Sequence, residues 1–254
     1  YREIITHHAW NEGIRTLGYR AFNEDLMYQV GNKPYINLTY SYYSLIPASI
    51  PEPLALRLVQ YYQTRLEEDL SAHDKIEFEI IFSSYDFMTE ENSKRLLRYG
   101  FTEEERKLLV REVKKLTFDA VMNQEKILKE DLEALKRLEN CREEIEKLLY
   151  QDVSIDRIID SILTLLKEIR TNGTPQFASQ ARLAFIARAF LRTLVDAGYY
   201  TSENVDTFMQ GISTVSSEFN DDFERFSEGL ISREEFNFKY GHLRSGTYDI
   251  RSDR

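Results

Sequence analysis

From Met88 onward, apolar residues recur at three- and four-residue spacing almost without a break, which commits the larger part of this 254-residue chain to packed helices. Start signals support that reading. Thr102 is followed three residues later by Glu105 and Ser232 by Glu235, while Ser154 and the Thr174-Pro175 pair stand where side-chain oxygens or a pre-set φ can open a helix. Gly100, Gly173, Gly198 and Gly229 mark the breaks. Over residues 102–150 acids and bases alternate densely around an apolar seam of Leu128, Leu132, Leu135, Leu138, Ile145 and Leu148. This predicts a long helix or helical hairpin with one partnered face. A seam of only about three heptads suits a bundle helix better than a dimeric coiled coil. Residues 177–194 carry Phe185, Ile186, Phe190, Leu191, Leu194 and several alanines with few acids, so this helix is expected to be the most enclosed, at the bundle's centre.

The first third reads differently. Ile4, Ile5, His8, Trp10, Ile14 and Leu17 have helical spacing that ends at Gly18. Residues 26–30 and 35–45, rich in aromatic and β-branched side chains, flank Gly31-Asn32-Lys33-Pro34 and predict two strands joined by a turn. Beyond Pro47, Pro51 and Pro53, the spacing of Leu54, Leu58, Tyr61, Tyr62, Arg65 and Leu66 predicts an amphipathic helix. Ile76, Phe78, Ile80 and Phe82 then alternate with Glu77, Glu79, Ile81 and Ser83, the period of a strand with one buried face. The expected fold is mainly α with a small, three-stranded antiparallel β-sheet (α+β). It is read as one module over residues 1–254, with a helix-plus-sheet subregion at 1–87 and a helical bundle at 88–254. Neither a solenoid-length repeat nor a low-complexity linker divides it.

Charge and cysteine content exclude some functions. With 33 basic and 43 acidic side chains the net charge is −10, which opposes an extended nucleic-acid contact. Cys141 is the single cysteine, so no intrachain disulfide can form and a reducing cytoplasm is the expected setting. No run approaches the roughly 18 apolar residues of a membrane span, and no basic-then-apolar leader opens the chain. Its start at Tyr1, within a helical pattern, leads us to expect a piece of a longer protein.

Stock catalytic motifs are missing. The ten glycines are scattered, so none builds a phosphate-cradling loop, and Gly-x-Ser-x-Gly, Cys-x-x-Cys and His-Glu-x-x-His are all absent. His7 and His8 point in different directions on a helix and suit no shared metal. His73 beside Asp74 reads as a polar turn first and a tuned acid–base group second. Glu77 and Glu79 share a face, either as a carboxylate pair or simply as a solvent face. Tyr40, Tyr42 and Tyr43, with Tyr61, Tyr62, Trp10 and Tyr19, are suited to a flat aromatic ligand's pocket or to core packing. Near the carboxyl end, His242 and Arg244 lie between Gly241 and Gly246, where tight turns can aim an imidazole and a guanidinium at one anion. The alternative is an ordered loop in which Asp249 pairs with Arg244 or Arg251.

The segment Tyr240-Gly241-His242-Leu243-Arg244-Ser245-Gly246-Thr247-Tyr248-Asp249-Ile250 resembles a landmark of the phosphoenolpyruvate-utilizing enzymes, the group of phosphoenolpyruvate synthase, pyruvate phosphate dikinase and the rifampicin phosphotransferase type. Further likenesses stand in the expected order: the opening Ile4-Ile5-Thr6, Trp10 and Leu17-Gly18-Tyr19-Arg20, then Gly31-Asn32-Lys33-Pro34-Tyr35-Ile36, Ser44-Leu45-Ile46-Pro47, and His73-Asp74-Lys75-Ile76-Glu77-Phe78-Glu79-Ile80. They cover roughly the first eighty and last fifteen residues; the helices between are generic. The resemblance implies a parent protein in which a nucleotide-binding domain, a middle region and a mobile phosphohistidine domain pass phosphate from ATP to an acceptor.

This chain is similar to the middle region, which in the rifampicin phosphotransferase type supplies the acceptor pocket. By that resemblance only His242 carries over, as a conformational or acceptor-site residue; together with it Arg244, Tyr248, Asp249, Tyr40, Tyr42 and Tyr43 are the candidates for acceptor binding or for the domain junction. No catalytic or metal-ligating residue carries over. ATP and Mg are expected in the parent and no cofactor in this chain. The implied partners are the two flanking domains and a small-molecule acceptor, without nucleic acid or membrane. Ser245 stands where the family tail has Pro, which implies a less rigid loop. No histidine here has the small-residue context of the phosphocarrier, so the chain alone is expected to lack ATP-dependent turnover. The competing expectation is a structural spacer or dimerisation module.

Overall fold

A computed structural model describes residues 8–31, 33–73, 75–151, 153–212 and 215–241. The chain divides into two compact units, Tyr1–Tyr199 and Tyr200–Arg254. It is mainly helical with one small two-stranded antiparallel sheet.

In the first unit, helix α1 (His8–Arg15) precedes strands β1 (Met27–Val30) and β2 (Lys33–Ile36), which pair with Met27 opposite Ile36 and Val30 opposite Lys33. The expected second strand stops at Ile36 rather than running to Leu45. Asn37 accepts a hydrogen bond from the Tyr40 amide and so caps helix α2 (Leu38–Ser44). Helix α3 (Glu52–Glu68) follows, with Pro53 in its first turn, and buries Leu54, Ala55, Leu58, Val59, Tyr61 and Tyr62.

The third expected strand is also absent. Residues Ile76–Glu79 form the short helix α4, followed by a buried irregular run, Ile80 to Ser83. Burying irregular backbone requires other partners for its polar groups, and side chains supply them. Arg95 donates to the carbonyls of Glu79 and Ile80 at 2.9 and 2.8 Å. The Tyr62 hydroxyl accepts from Phe82 N at 3.3 Å, and the Tyr19 hydroxyl donates to Ser83 O at 2.7 Å.

Helices α5 (Thr89–Ser93), α6 (Glu103–Met122), α7 (Gln124–Leu149), α8 (Ile155–Asn172) and α9 (Thr174–Asp196) complete the unit. The charged stretch is two helices that break at Asn123. Much of its seam stays open, since Leu128, Leu132 and Leu135 are exposed while Ala134 and Ile145 are buried. Helix α9 packs against α1, α6, α7 and α8, which makes it central, yet Phe177 and Phe185 are exposed and it is not the enclosed rod expected. Its Ile186 joins Ile14, Tyr42, Leu58, Leu109 and Val113 in the main core.

The Thr102 hydroxyl accepts from Glu105 N at 3.2 Å and the Glu105 carboxylate accepts from Thr102 N at 2.8 Å, a complete capping box on α6. Replacing Thr102 with alanine should therefore cost about 1 kcal/mol and lower the melting temperature by roughly 2–4 °C. A thermal melt by circular dichroism tests this, and an unchanged midpoint would show that the box contributes nothing.

In the second unit, helices α10 (Ser202–Gln210), α11 (Val215–Ser227) and α12 (Arg233–Tyr240) are present. Phe219, Phe223, Phe226, Phe236 and Tyr240 form a ring cluster between α11 and α12. Asp222 accepts from Lys239 Nζ at 2.7 Å and from the Tyr240 hydroxyl at 2.8 Å, contacts that hold its carboxyl below the ordinary range.

Candidate functional site

The tyrosines of α2 face three different surroundings, because consecutive helical positions differ by about 100°. Tyr40 stacks on Phe22 with ring centroids 5.7 Å apart. Tyr42 is fully buried and meets Tyr62 edge-on at 5.9 Å. The Tyr43 hydroxyl donates to Glu52 at 2.8 Å and accepts from Arg20 at 3.1 Å. None of the three lines the cavities described below. Trp10 donates to Ser44 Oγ at 2.9 Å, which joins α1 to α2.

His242, Arg244, Tyr248 and Asp249 lie outside the described residues, as do His7 and Asp74. His73 is described and sets its Nδ1 3.2 Å from Leu70 O. Around Cys141, desolvation together with Glu168 and Glu144 pushes the thiol up, which favours its protonated form.

Glu77 and Glu79 lie on the short helix α4, not on a strand face. Glu77 pairs with Arg182, and Glu79 with Arg192 at 2.9 Å, so both carboxylates bind arginines of α9. Arg182 is only 3% exposed; it also donates to Ser83 Oγ and lies over the rings of Tyr19 and Phe185. Burial pushes the Tyr19 hydroxyl up to about 12, with the Arg182 guanidinium acting in the opposite direction. Nearby lies a cleft of about 40 Å³ bordered by Glu77, Arg95, Arg192 and Asp196, with space for little beyond water.

A far larger cavity, about 490 Å³, opens between α6 and α9. Phe118, Val121, Leu183, Ile186 and Phe190 supply its apolar walls, with Tyr85, Lys114, Thr117 and Gln124 as its polar groups. Thr117 Oγ1 accepts from Tyr85 N at 2.8 Å and donates to Val113 O at 2.9 Å, which fixes the loop before α5 against α6. The Lys114 ammonium stands 4.9 Å from the Tyr85 ring centroid. A largely apolar concavity with a few convergent polar groups is the usual form of a small-molecule site.

The sequence held a partial signal for this site. Lys114, Phe118 and Val121 follow one another at four and three residues on a helix whose dense charge reads as a solvated face. The facing wall, Leu183 to Phe190, reads as core, and only the packing of α9 reveals the space left between them.

Among the described residues no cluster of three or more His, Cys, Asp or Glu is placed to hold a metal ion. Likewise, no described helix is long and apolar enough to cross a membrane. Comparisons with protein-family models, curated proteins and solved structures found no match.

Proposed function

We propose that this chain is the acceptor-binding or coupling module of an ATP-dependent, phosphoenolpyruvate synthase-like phosphotransferase that works in the reducing cytoplasm. The cavity between α6 and α9 is the observation that carries this reading, because its volume and apolar lining suit a small organic acceptor. The sequence resemblance supplies the reaction class. ATP and Mg belong to a flanking nucleotide-binding domain, and a flanking phosphohistidine domain delivers the phosphoryl group. His242 enters through the resemblance, and Arg244, Tyr248 and Asp249 stand beside it as candidates for acceptor binding or for the domain junction.

Ala187 is exposed on the cavity wall, so a larger side chain there fills the space without disturbing the core. In the full-length protein, Ala187→Trp is expected to reduce phosphoryl transfer to the acceptor by at least about tenfold while leaving phosphorylation of the histidine by ATP intact. Full transfer in that variant would reject the cavity as the acceptor site. A full-length protein that forms no phosphohistidine would reject the reaction class.

One observation favours a second reading, a spacer or dimerisation module. Ile155, Ile159, Ile162 and Leu163 leave an apolar stripe of α8 about half exposed or more. Concentration-dependent mass in sedimentation, abolished by Ile159→Glu, would support it; a monomer at all concentrations would remove it.

A further inference from the structure

The polar groups of the α6–α9 cavity narrow the chemistry of its occupant. Thr117 already has both a donor and an acceptor engaged, and Gln124 is neutral. Lys114 is the single formally charged residue on the lining, and it forms no ion pair among the described residues. Its ammonium lies against the Tyr85 ring, at the edge of walls that are mostly apolar. A cation beside a low-dielectric wall attracts an anion more strongly than one surrounded by water. The same walls favour an apolar body over a hydrated one.

We infer that the cavity binds an amphiphilic monoanion: an aromatic or branched apolar body against Phe118, Leu183 and Phe190, with one anionic group at Lys114. The inference rests on the reading of this cavity as the acceptor pocket and adds the class of acceptor. The acidic balance of the chain, −10 overall, makes such a local cation selective rather than part of a general anion-attracting surface.

Two fluorescent probes with one skeleton test it on this chain. 1-Anilinonaphthalene-8-sulfonate carries the anion; N-phenyl-1-naphthylamine lacks it. The sulfonate is expected to bind about tenfold more tightly, the size of one charge-assisted contact. Lys114→Met should erase that difference and leave the neutral probe unaffected, Lys114→Arg should retain it, and raised salt should weaken only the sulfonate. Ala187→Trp should weaken both probes. Lys114 and Ala187 are both exposed, so matching melting curves verify that the variants fold.

Equal affinities that Lys114→Met does not change would overturn the anion assignment. If Ala187→Trp still displaced both probes, the cavity would stand as an apolar site. Binding indifferent to Ala187→Trp, or no binding at all, would overturn the cavity reading and the anion assignment with it.

Discussion

Gly13→Ala is expected to destabilise the Tyr1–Tyr199 unit by about 2–3 kcal/mol, the upper range for overpacking a close-packed site. A methyl group there would lie 2.5 Å from Pro175 O, 2.7 Å from Ala178 Cβ and 3.1 Å from Ser179 N, so α1 crosses the first turns of α9 at backbone contact. Two of those three atoms are main chain and cannot swing aside. The only relief is to move α1 outward, which withdraws Ile14 and Leu17 from the core. The melting temperature should fall by roughly 5–10 °C. Gly100→Ala is the control. That glycine has φ +81° with open space around it, so its cost, about 1–2 kcal/mol, comes from left-handed backbone strain alone. Amide exchange separates the two variants: Gly13→Ala should accelerate exchange in α1, whereas Gly100→Ala should not. A Gly13→Ala protein melting within a degree of the parent would show that α1 and α9 do not approach this closely.

The second large effect is expected at the Arg182–Glu77 pair. Removing one partner of a buried ion pair typically costs about 3–5 kcal/mol, because the remaining charge loses its compensation while still out of water. Glu77 retains 19% side-chain exposure beside an Arg182 side chain at 3%, which places Glu77→Gln near the lower end, about 3 kcal/mol. Arg182→Met should cost less. Glu77 can turn toward solvent, and methionine keeps apolar contact with Tyr19 and Phe185. The double variant Glu77→Leu with Arg182→Met should recover most of the loss, since two apolar side chains leave no buried charge. Urea unfolding of the singles and the double measures the coupling directly. Additive losses would mean that the two side chains do not share a buried interaction.

Much of the helical part was legible because its signals are local. Thr102 with Glu105 and Ser232 with Glu235 form capping boxes where the sequence placed them, and Pro53 falls in the first turn of α3. Gly100, Gly198 and Gly229 adopt positive φ at helix ends, the conformation that a side chain disfavours. The α6–α9 cavity was not legible. A void is a property of two surfaces that stay apart, and each of its walls carries an ordinary helical pattern.

The alternation Ile76, Phe78, Ile80, Phe82 shows the same limit most clearly. By its period it reads as a strand, but a strand needs a neighbour to satisfy its backbone, and those backbone groups instead find Arg95, Tyr62 and Tyr19. Glu77 meets an arginine 105 residues away. A mainly helical chain, its caps and its breaks are readable from the residues alone, because these follow from neighbours within a turn. Packing between distant segments turns the apparent third strand into α4 and a buried irregular run, and leaves a concavity between α6 and α9. Both outcomes depend on which distant side chains meet, and no local period encodes that.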